Sequence, residues 1–482
     1  MTSRTDLSTF VKAYDVRGLV PEQLDAAVAR ALGSAFARAV ILPEGARSLV
    51  VGHDMRPSSP ELSRAFADGA MQHGVDVTLI GLCSTDGLYF AAGHLDVPGA
   101  MFTASHNPAA YNGIKLCRSG ARPVGQESGL AEVRDLAQEI LDGASETAEG
   151  EPGSVVERDL LGEYAGFLRS LVDLSSPRRS DPITVVVDAG NGMGGLTVPA
   201  VLGDAAGLPA LPLEVVPLYF ELDGTFPHHE ANPLEPANLV DLQRAVVEQG
   251  ADLGLAFDGD ADRCFVVDER GEAVSPSAIT GLIVARETAR MTQAGASPSD
   301  LTFVHNVITS RAVPEVVAEV GARAVRTRVG HSYIKATMAD NAAVFGGEHS
   351  AHYYFKDFWY ADTGMLAAMH VLAALGEQDG PLSELVTRYD RYAASGEINS
   401  TVDDQAARSA EVTAWAHERG LHVDELDGLT ATHEADGDEP LWWVNVRPSN
   451  TEPLLRLNVE AADRATMERV RDEVLTIIRG KA

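Results

Sequence analysis

Three carboxylates alternate in Asp258-Gly-Asp-Ala-Asp-Arg263, directly after the apolar run Leu253–Phe257. Carboxylates at every second position beyond a strand can converge on one hard cation, and Gly259 permits the sharp turn this needs. Concentrated negative charge is costly when uncompensated, which favours a bound cation over a merely solvated acidic turn. A calcium EF-hand is the specific rival, with Asp258, Asp260, Asp262 and Glu269 at positions one, three, five and twelve. Position six of that loop must be glycine and is Arg263, and the residues that follow read as a strand. Mg²⁺ is the preferred ion.

Thr103-Ala-Ser-His-Asn-Pro108 offers hydroxyls in a tight loop, with Lys115 close behind in a chain that has five lysines. Adjacency does not make Ser105 and His106 a nucleophile–base pair, and such side chains also stabilise ordinary turns, which is the better reading of this loop alone. No G-x-S-x-G elbow occurs, which argues against a serine hydrolase. Arg447-Pro-Ser-Asn-Thr-Glu-Pro453 gathers a guanidinium, two hydroxyls, an amide and backbone N–H groups in one hairpin turn, the chemistry of a phosphate pocket. Gly190–Gly195 formally matches a dinucleotide fingerprint but lacks its acidic partner, so a structural glycine turn is preferred. Glu221-Leu-Asp-Gly-Thr225 echoes the nucleophile loop of haloacid-dehalogenase phosphatases, with Glu where the nucleophilic Asp belongs, and is set aside. His331, His349 and His352 are weak support for zinc, whereas Glu348 and Ser350 suit hydroxyl recognition equally well.

Alternating strands and helices must position these loops. Leu24, Val28, Leu32, Phe36 and Val40 predict an amphipathic helix opened by Pro21, and Pro60–His73 a second. Strands are expected at Ser48–Gly52, Val75–Ile80 and Gly99–Phe102, then at Ile183–Val187, Leu253–Phe257 and Cys264–Asp268. A third restart gives a helix at Ile279–Met291 and strands at Phe303–Asn306 and Ala343–Phe345. After about Ser395 the character changes to strands Trp442–Val446 and Leu454–Val459, capped by a helix bearing Met467, Val470, Val474 and Ile478 on one face. The expected architecture is three similar α/β domains and a smaller C-terminal α+β domain, divided at 1–153, 154–272, 273–390 and 391–482. In each α/β domain an apolar strand runs straight into a polar loop, where ligands of such sheets sit.

A chain of 482 residues suits several domains. Its net charge of −32 leaves no basic field for nucleic acid or an anionic membrane. No run of apolar residues is long enough for a membrane span, and no secretory signal opens the chain. Cys83, Cys117 and Cys264, odd in number and widely spaced, fit reduced thiols in the cytoplasm. Oligomeric state is not legible.

The order of TASHNP, DGDADR, GEHSAH and RPSNTEP, preceded by Lys12-Ala-Tyr-Asp-Val-Arg-Gly18, resembles the α-D-phosphohexomutase family in its bacterial phosphomannomutase/phosphoglucomutase branch. The resemblance covers essentially the whole chain and implies four domains around a central cleft. It implies that Ser105 is a phosphoserine cycling during turnover, that Asp258, Asp260 and Asp262 hold Mg²⁺ with a phosphoserine oxygen, and that a hexose 1,6-bisphosphate is activator and intermediate. Arg17, Lys115 and His331 become the polar and acid–base groups at the reacting hydroxyl. Tyr14, His106 and Arg263 join the substrate and phosphoserine site, Glu348 and Ser350 grip ring hydroxyls, and Arg447, Ser449, Asn450 and Thr451 bind the non-reacting phosphate. A phosphoserine beside three aspartates also calls for Arg263, Lys115 and a helix N-terminus after the serine loop, and for Lys115 or His331 with a lowered pKa as proton acceptor. The expected substrate is a phosphorylated hexose, mannose and glucose both. Asn450 argues against the glucosamine branch, which tends to carry glycine there. Ala351 stands where the family often has glycine, and His349 is larger than expected; both bear on substrate preference.

Overall fold

The computed structural model describes residues 6–12, 14–144, 151–175, 178, 181–437, 439–449 and 454–480. They form two compact units, Met1–Val274 with Ser350–Leu385, and Ser275–His349 with Val386–Ala482. Three α/β domains and a C-terminal α+β domain are distributed over them.

In the first unit, one sheet orders its strands Val16–Leu19, Tyr111–Arg118, Gly99–Phe102, Ser48–His53, Asp76–Leu82 and Val155–Glu157. The four strands from Gly99–Phe102 outward are parallel, and Tyr111–Arg118 is antiparallel to both neighbours. This sheet takes a strand from beyond residue 153, where the first domain was expected to end. The second sheet runs Ala273–Val274, Cys264–Asp268, Leu253–Phe257, Ile183–Asp188, Leu213–Leu218. Its strand Leu253–Phe257 is buried at every residue, as a central strand delivering a loop should be.

The second unit carries Thr302–Asn306 flanked in parallel by Arg323–Thr327 and Phe345–Gly347. Its antiparallel sheet orders Ala393–Thr401, Leu454–Ala461, Trp442–Pro448, Leu429–His433 and His422–Asp424. Met467, Val470, Val474 and Ile478 of the helix Arg464–Ile478 are all buried in that domain's core, as their spacing predicts.

Two local expectations need correction. The first helix begins at Ala26, because the Asp25 side chain accepts from Val28 N and caps it there; Pro21 lies in the preceding turn. The strand expected at Ala343–Phe345 is Phe345–Gly347. Gly346 and Gly347 read as loop residues, yet a Cβ on Gly347 would lie 2.4 Å from Thr280 Oγ1, so they are strand residues packed against a helix. Glu348 therefore follows the strand directly.

The helix Thr85–Leu95, the helix Leu161–Leu171 and the strand Tyr111–Arg118 were not anticipated. The thiols of Cys83, Cys117 and Cys264 are free and buried. Among the described residues no helix is long and apolar enough to cross a membrane.

Candidate active site

Two loops of the first unit meet. Strand Gly99–Phe102 ends in the serine loop and Leu253–Phe257 in the aspartate loop, and a Cβ on Gly259 would lie 2.4 Å from Ser105 O. Only glycine admits that approach. Met193 N, from the glycine turn 190–195, donates to Gly259 O at 2.9 Å and braces the aspartate loop from behind. That turn acts as structural packing.

Ser105 is 4% exposed and has φ +53, a left-handed conformation that costs a non-glycine residue about 1–3 kcal/mol. Its N–H donates to Thr103 Oγ1 at 2.9 Å. Its Oγ lies 3.0 Å from Asp258 Oδ2, 3.2 Å from Arg263 Nη2 and 3.2 Å from His106 Nδ1. Arg263 donates from Nε and Nη2 to Asp258 Oδ2 at 2.9 and 2.6 Å, and also to His106 Nδ1. Burial, reinforced by Arg263 and Arg17, holds the His106 imidazole well below its usual value, so it is neutral. Arg17 pairs with Asp15 at 2.8 Å and reaches Asn107 Oδ1 at 2.6 Å, which ties it to the serine loop. Tyr14 is half-buried in the turn before Arg17.

Asp258, Asp260 and Asp262 are 0 to 1% exposed, and each offers an oxygen within 4.8 Å of the others'. Lys115 Nζ bridges Asp260 and Asp262 at 2.7 and 2.6 Å. Burial works to lower the Lys115 pKa, but those two carboxylates hold it well above its usual value. The expectation of a lowered lysine pKa is thus overturned for Lys115, whose nearest charged partners are carboxylates. No helix follows the serine loop either; turns lead from Pro108 into strand Tyr111–Arg118, and positive charge comes from side chains instead.

Divalent binding can be judged from unspent acceptors. Asp260 Oδ1 and Asp262 Oδ1 are buried with no hydrogen-bond partner among the described residues. Hard oxygen donors left unsatisfied in a buried carboxylate cluster fit Mg²⁺.

In the second unit, Glu348 is 2% exposed and its Oε1 accepts from Asn306 Nδ2 at 2.9 Å and Gly330 N at 3.3 Å. His331 opens the helix His331–Asp340 next to that glycine. Arg447 is buried and pairs with Glu397, while its Nε and Nη1 have no partner among the described residues. Ser449 N donates to Leu454 O at 2.9 Å and begins to close the hairpin turn. Asn450 and Thr451 lie outside the described residues. Ser350, assigned to the first unit, has its Oγ 3.0 Å from His352 Nδ1. His349 Nδ1 is 3.2 Å from Ser277 Oγ, and Ala351 takes φ +63, the region that favours glycine.

Models of the phosphoglucomutase/phosphomannomutase family match the chain four times: alpha/beta/alpha domain I at residues 9–142, domain II at 162–271, domain III at 278–392, and the C-terminal domain at 397–477. The chain belongs to this family. With it the chain joins the phosphohexomutases, a class of isomerases. It is 39% identical to the phosphohexose mutases of Xanthomonas campestris pv. campestris over 97% of its own length and 99% of theirs. Identity to the phosphomannomutase of Salmonella montevideo is 38%, over 98% of this chain and 99% of that one. Among solved structures, a phosphoglucomutase/phosphomannomutase family protein from Burkholderia thailandensis superposes with TM-score 0.82 at 29% identity, covering 98% of both chains.

Thr85, Asp86 and Asp362 were not among the residues expected around this candidate site. Thr85 donates from Oγ1 to Asp260 Oδ2 and from N to Asp260 O. The Ser84-Thr-Asp86 helix start was its available signal, since Ser84 caps the helix by accepting from Gly87 N. His352 Nε2 lies 3.8 Å from Asp262 Oδ1, and His352, Asp262 and Asp362 form a second cluster within 4.8 Å.

Asp86 is fully buried and accepts from Ser84 Oγ, Tyr164 OH (2.7 Å) and Thr363 Oγ1 (2.7 Å), joining three helix starts and faces behind Thr85. Burial pushes its carboxyl up to about 6, against the pull of those hydroxyls. The folded chain therefore keeps a proton there that the unfolded chain, near 3.8, has released. This group's contribution to stability is complete below the unfolded value and is lost as pH rises through about 6, by roughly 3 kcal/mol. In urea unfolding between pH 4 and 7, Asp86→Asn is expected to be less pH-sensitive than the native chain by that amount. An unchanged slope would remove Asp86 as its source.

Proposed function

We propose that the chain interconverts hexose 1-phosphate and hexose 6-phosphate, for mannose and glucose alike, through a phosphoryl group on Ser105 Oγ and a hexose 1,6-bisphosphate. The observation that carries this reading is the setting of Ser105: a buried hydroxyl in a left-handed turn, 3.0 Å from a carboxylate of the aspartate cluster and 3.2 Å from a guanidinium. A phosphoserine brings roughly −1.5 to −2 charge. Arg263, Lys115 and a divalent cation together suit that load.

Asp258, Asp260 and Asp262 would hold Mg²⁺ together with a phosphoryl oxygen. When bound, the ion supplies Lewis-acid withdrawal of charge from the transferring group. In the first half-reaction the Ser105 Oγ–P bond breaks as a P–O bond forms to the free sugar hydroxyl, whose proton passes to a base. The bisphosphate then turns end for end. Its other phosphoryl group returns to Ser105 Oγ, and the sugar oxygen regains a proton. Lys115, between Asp260 and Asp262, would serve as a fixed cation, and His331, the other group expected at the reacting hydroxyl, is the proposed base. Arg17, Tyr14 and His106 line the reacting end, and Arg263 orients Ser105 Oγ. Glu348 and Ser350 address ring hydroxyls. Arg447, with two donor atoms unspent among the described residues, and Ser449, Asn450 and Thr451 take the non-reacting phosphate. Buried free thiols suit a reducing cytoplasm.

Mannose and glucose differ at C2, and Glu348 and Ser350 are read as partners of hydroxyls the two sugars share. With Mg²⁺ and a trace of glucose 1,6-bisphosphate, kcat/KM for mannose 1-phosphate and glucose 1-phosphate is expected to agree within about tenfold, equivalent to ~1.4 kcal/mol. A larger gap would mean that a group reads C2, with His349 and Ala351 the first to test. No turnover of either sugar would defeat the proposal.

A further inference from the structure

Arg56 is a buried cation that the reaction above does not use. It is 1% exposed, and its partner Asp54 is fully buried. Asp54 is itself fixed: its Oδ1 accepts from Arg56 N at 3.0 Å and Ser59 Oγ at 2.6 Å. A guanidinium has five N–H donors. In Arg56, Nε donates to Asp54 Oδ2 at 3.1 Å. Nη1 donates to Pro108 O at 2.9 Å and Tyr111 O at 2.8 Å, and Nη2 to Ser105 O at 2.9 Å and Asn107 O at 2.7 Å. Three carbonyls of the serine loop and that of Tyr111, at the start of the next strand, thus converge on one cation.

Above the guanidinium lies the Phe226 ring, 5.2 Å from Cζ. A Cβ on Gly224 would sit 2.6 Å from Arg56 Cα. Gly224 belongs to the segment Glu221–Thr225 that resembled a phosphatase nucleophile loop and Phe226 follows it directly, and this packing gives the segment a different use.

We propose that Arg56 is a positioning residue for phosphoryl transfer, a reading that rests on Ser105 being the phosphoryl carrier. By collecting the carbonyl oxygens of Ser105, Asn107, Pro108 and Tyr111, it holds Ser105 in its left-handed conformation with Oγ between Asp258 and Arg263. A carbonyl aimed at the guanidinium is not aimed at the phosphoryl oxygens, which its lone pairs would repel. Hydrogen bonds to the loop backbone thereby set the electrostatics of a group that Arg56 never contacts.

The test is Arg56→Lys, which keeps the charge but loses the planar fork. Loop misplacement of this kind is expected to lower kcat at least about 100-fold while KM for mannose 1-phosphate stays within about threefold. Phosphorylation of Ser105 by glucose 1,6-bisphosphate, followed by intact mass on the folded variant, should slow in parallel. A kcat within threefold of the native enzyme overturns the proposal, as does a KM loss without a kcat loss. Should Arg56→Lys fail to fold, Gly224→Ala decides, since its methyl presses on Arg56 from outside the site: a kcat-only loss of about tenfold supports the clamp, and unchanged kcat refutes it. Absence of phosphorylation at Ser105 in the native enzyme is a separate result, which takes down the carrier reading and the clamp with it.

Discussion

Ser105→Ala should lower kcat by roughly 10⁴- to 10⁶-fold, the scale seen when a covalent nucleophile is removed. Hexose phosphate should still bind within about threefold of the native affinity, because no sugar contact is assigned to that hydroxyl. Alanine also removes the acceptor of the phosphoryl group, so incubation with glucose 1,6-bisphosphate should add no phosphate to the variant by intact mass. The native chain should gain one at residue 105. Steady-state kinetics, calorimetric titration with mannose 1-phosphate and mass spectrometry together decide the matter. Full activity in the variant would end the phosphoserine mechanism.

The second large effect is expected at Asp260. Its Oδ2 is committed to Thr85 and Lys115, while its Oδ1 has no partner among the described residues. Asp260→Asn removes one full charge from the cluster and leaves Lys115 with Asp262 as its remaining carboxylate. Apparent Mg²⁺ affinity should fall about 100-fold, and kcat at fixed low Mg²⁺ by 10²- to 10³-fold, in the range typical of losing a ligand or its support. Raising Mg²⁺ should restore part of the activity of Asp260→Asn and none of that of Ser105→Ala. An unaltered Mg²⁺ dependence would exclude Asp260 as a ligand.

Much of the frame was legible because local patterns carry it. Buried strands such as Leu253–Phe257 are short apolar runs ending in polar loops, and the C-terminal helix shows its buried face at helical spacing. Helix starts were less legible: Pro21 is a plausible first-turn residue, but the cap that decides is Asp25. Glycines misled at Phe345–Gly347, where the absence of a side chain serves packing against Thr280 and not a turn. Thr85 and Asp86 escaped notice because their helix carries a weak apolar period and is buried over most of its surface.

By itself, the sequence determined the chemistry on offer: alternating carboxylates after a strand, a serine loop, an arginine turn, and an order of motifs shared with the phosphohexomutases. Only the tertiary structure decided how those groups act on one another. Lys115 meets Asp260 and Asp262 across 145 and 147 residues, and Arg56 gathers the carbonyls of a loop some fifty residues away. These encounters set Lys115 between two carboxylates and bring Arg56 against the backbone of the serine loop. Ionisation and backbone strain depend on what lies within a few ångströms. Residue spacing along the chain carries no such distance once strands and helices have packed.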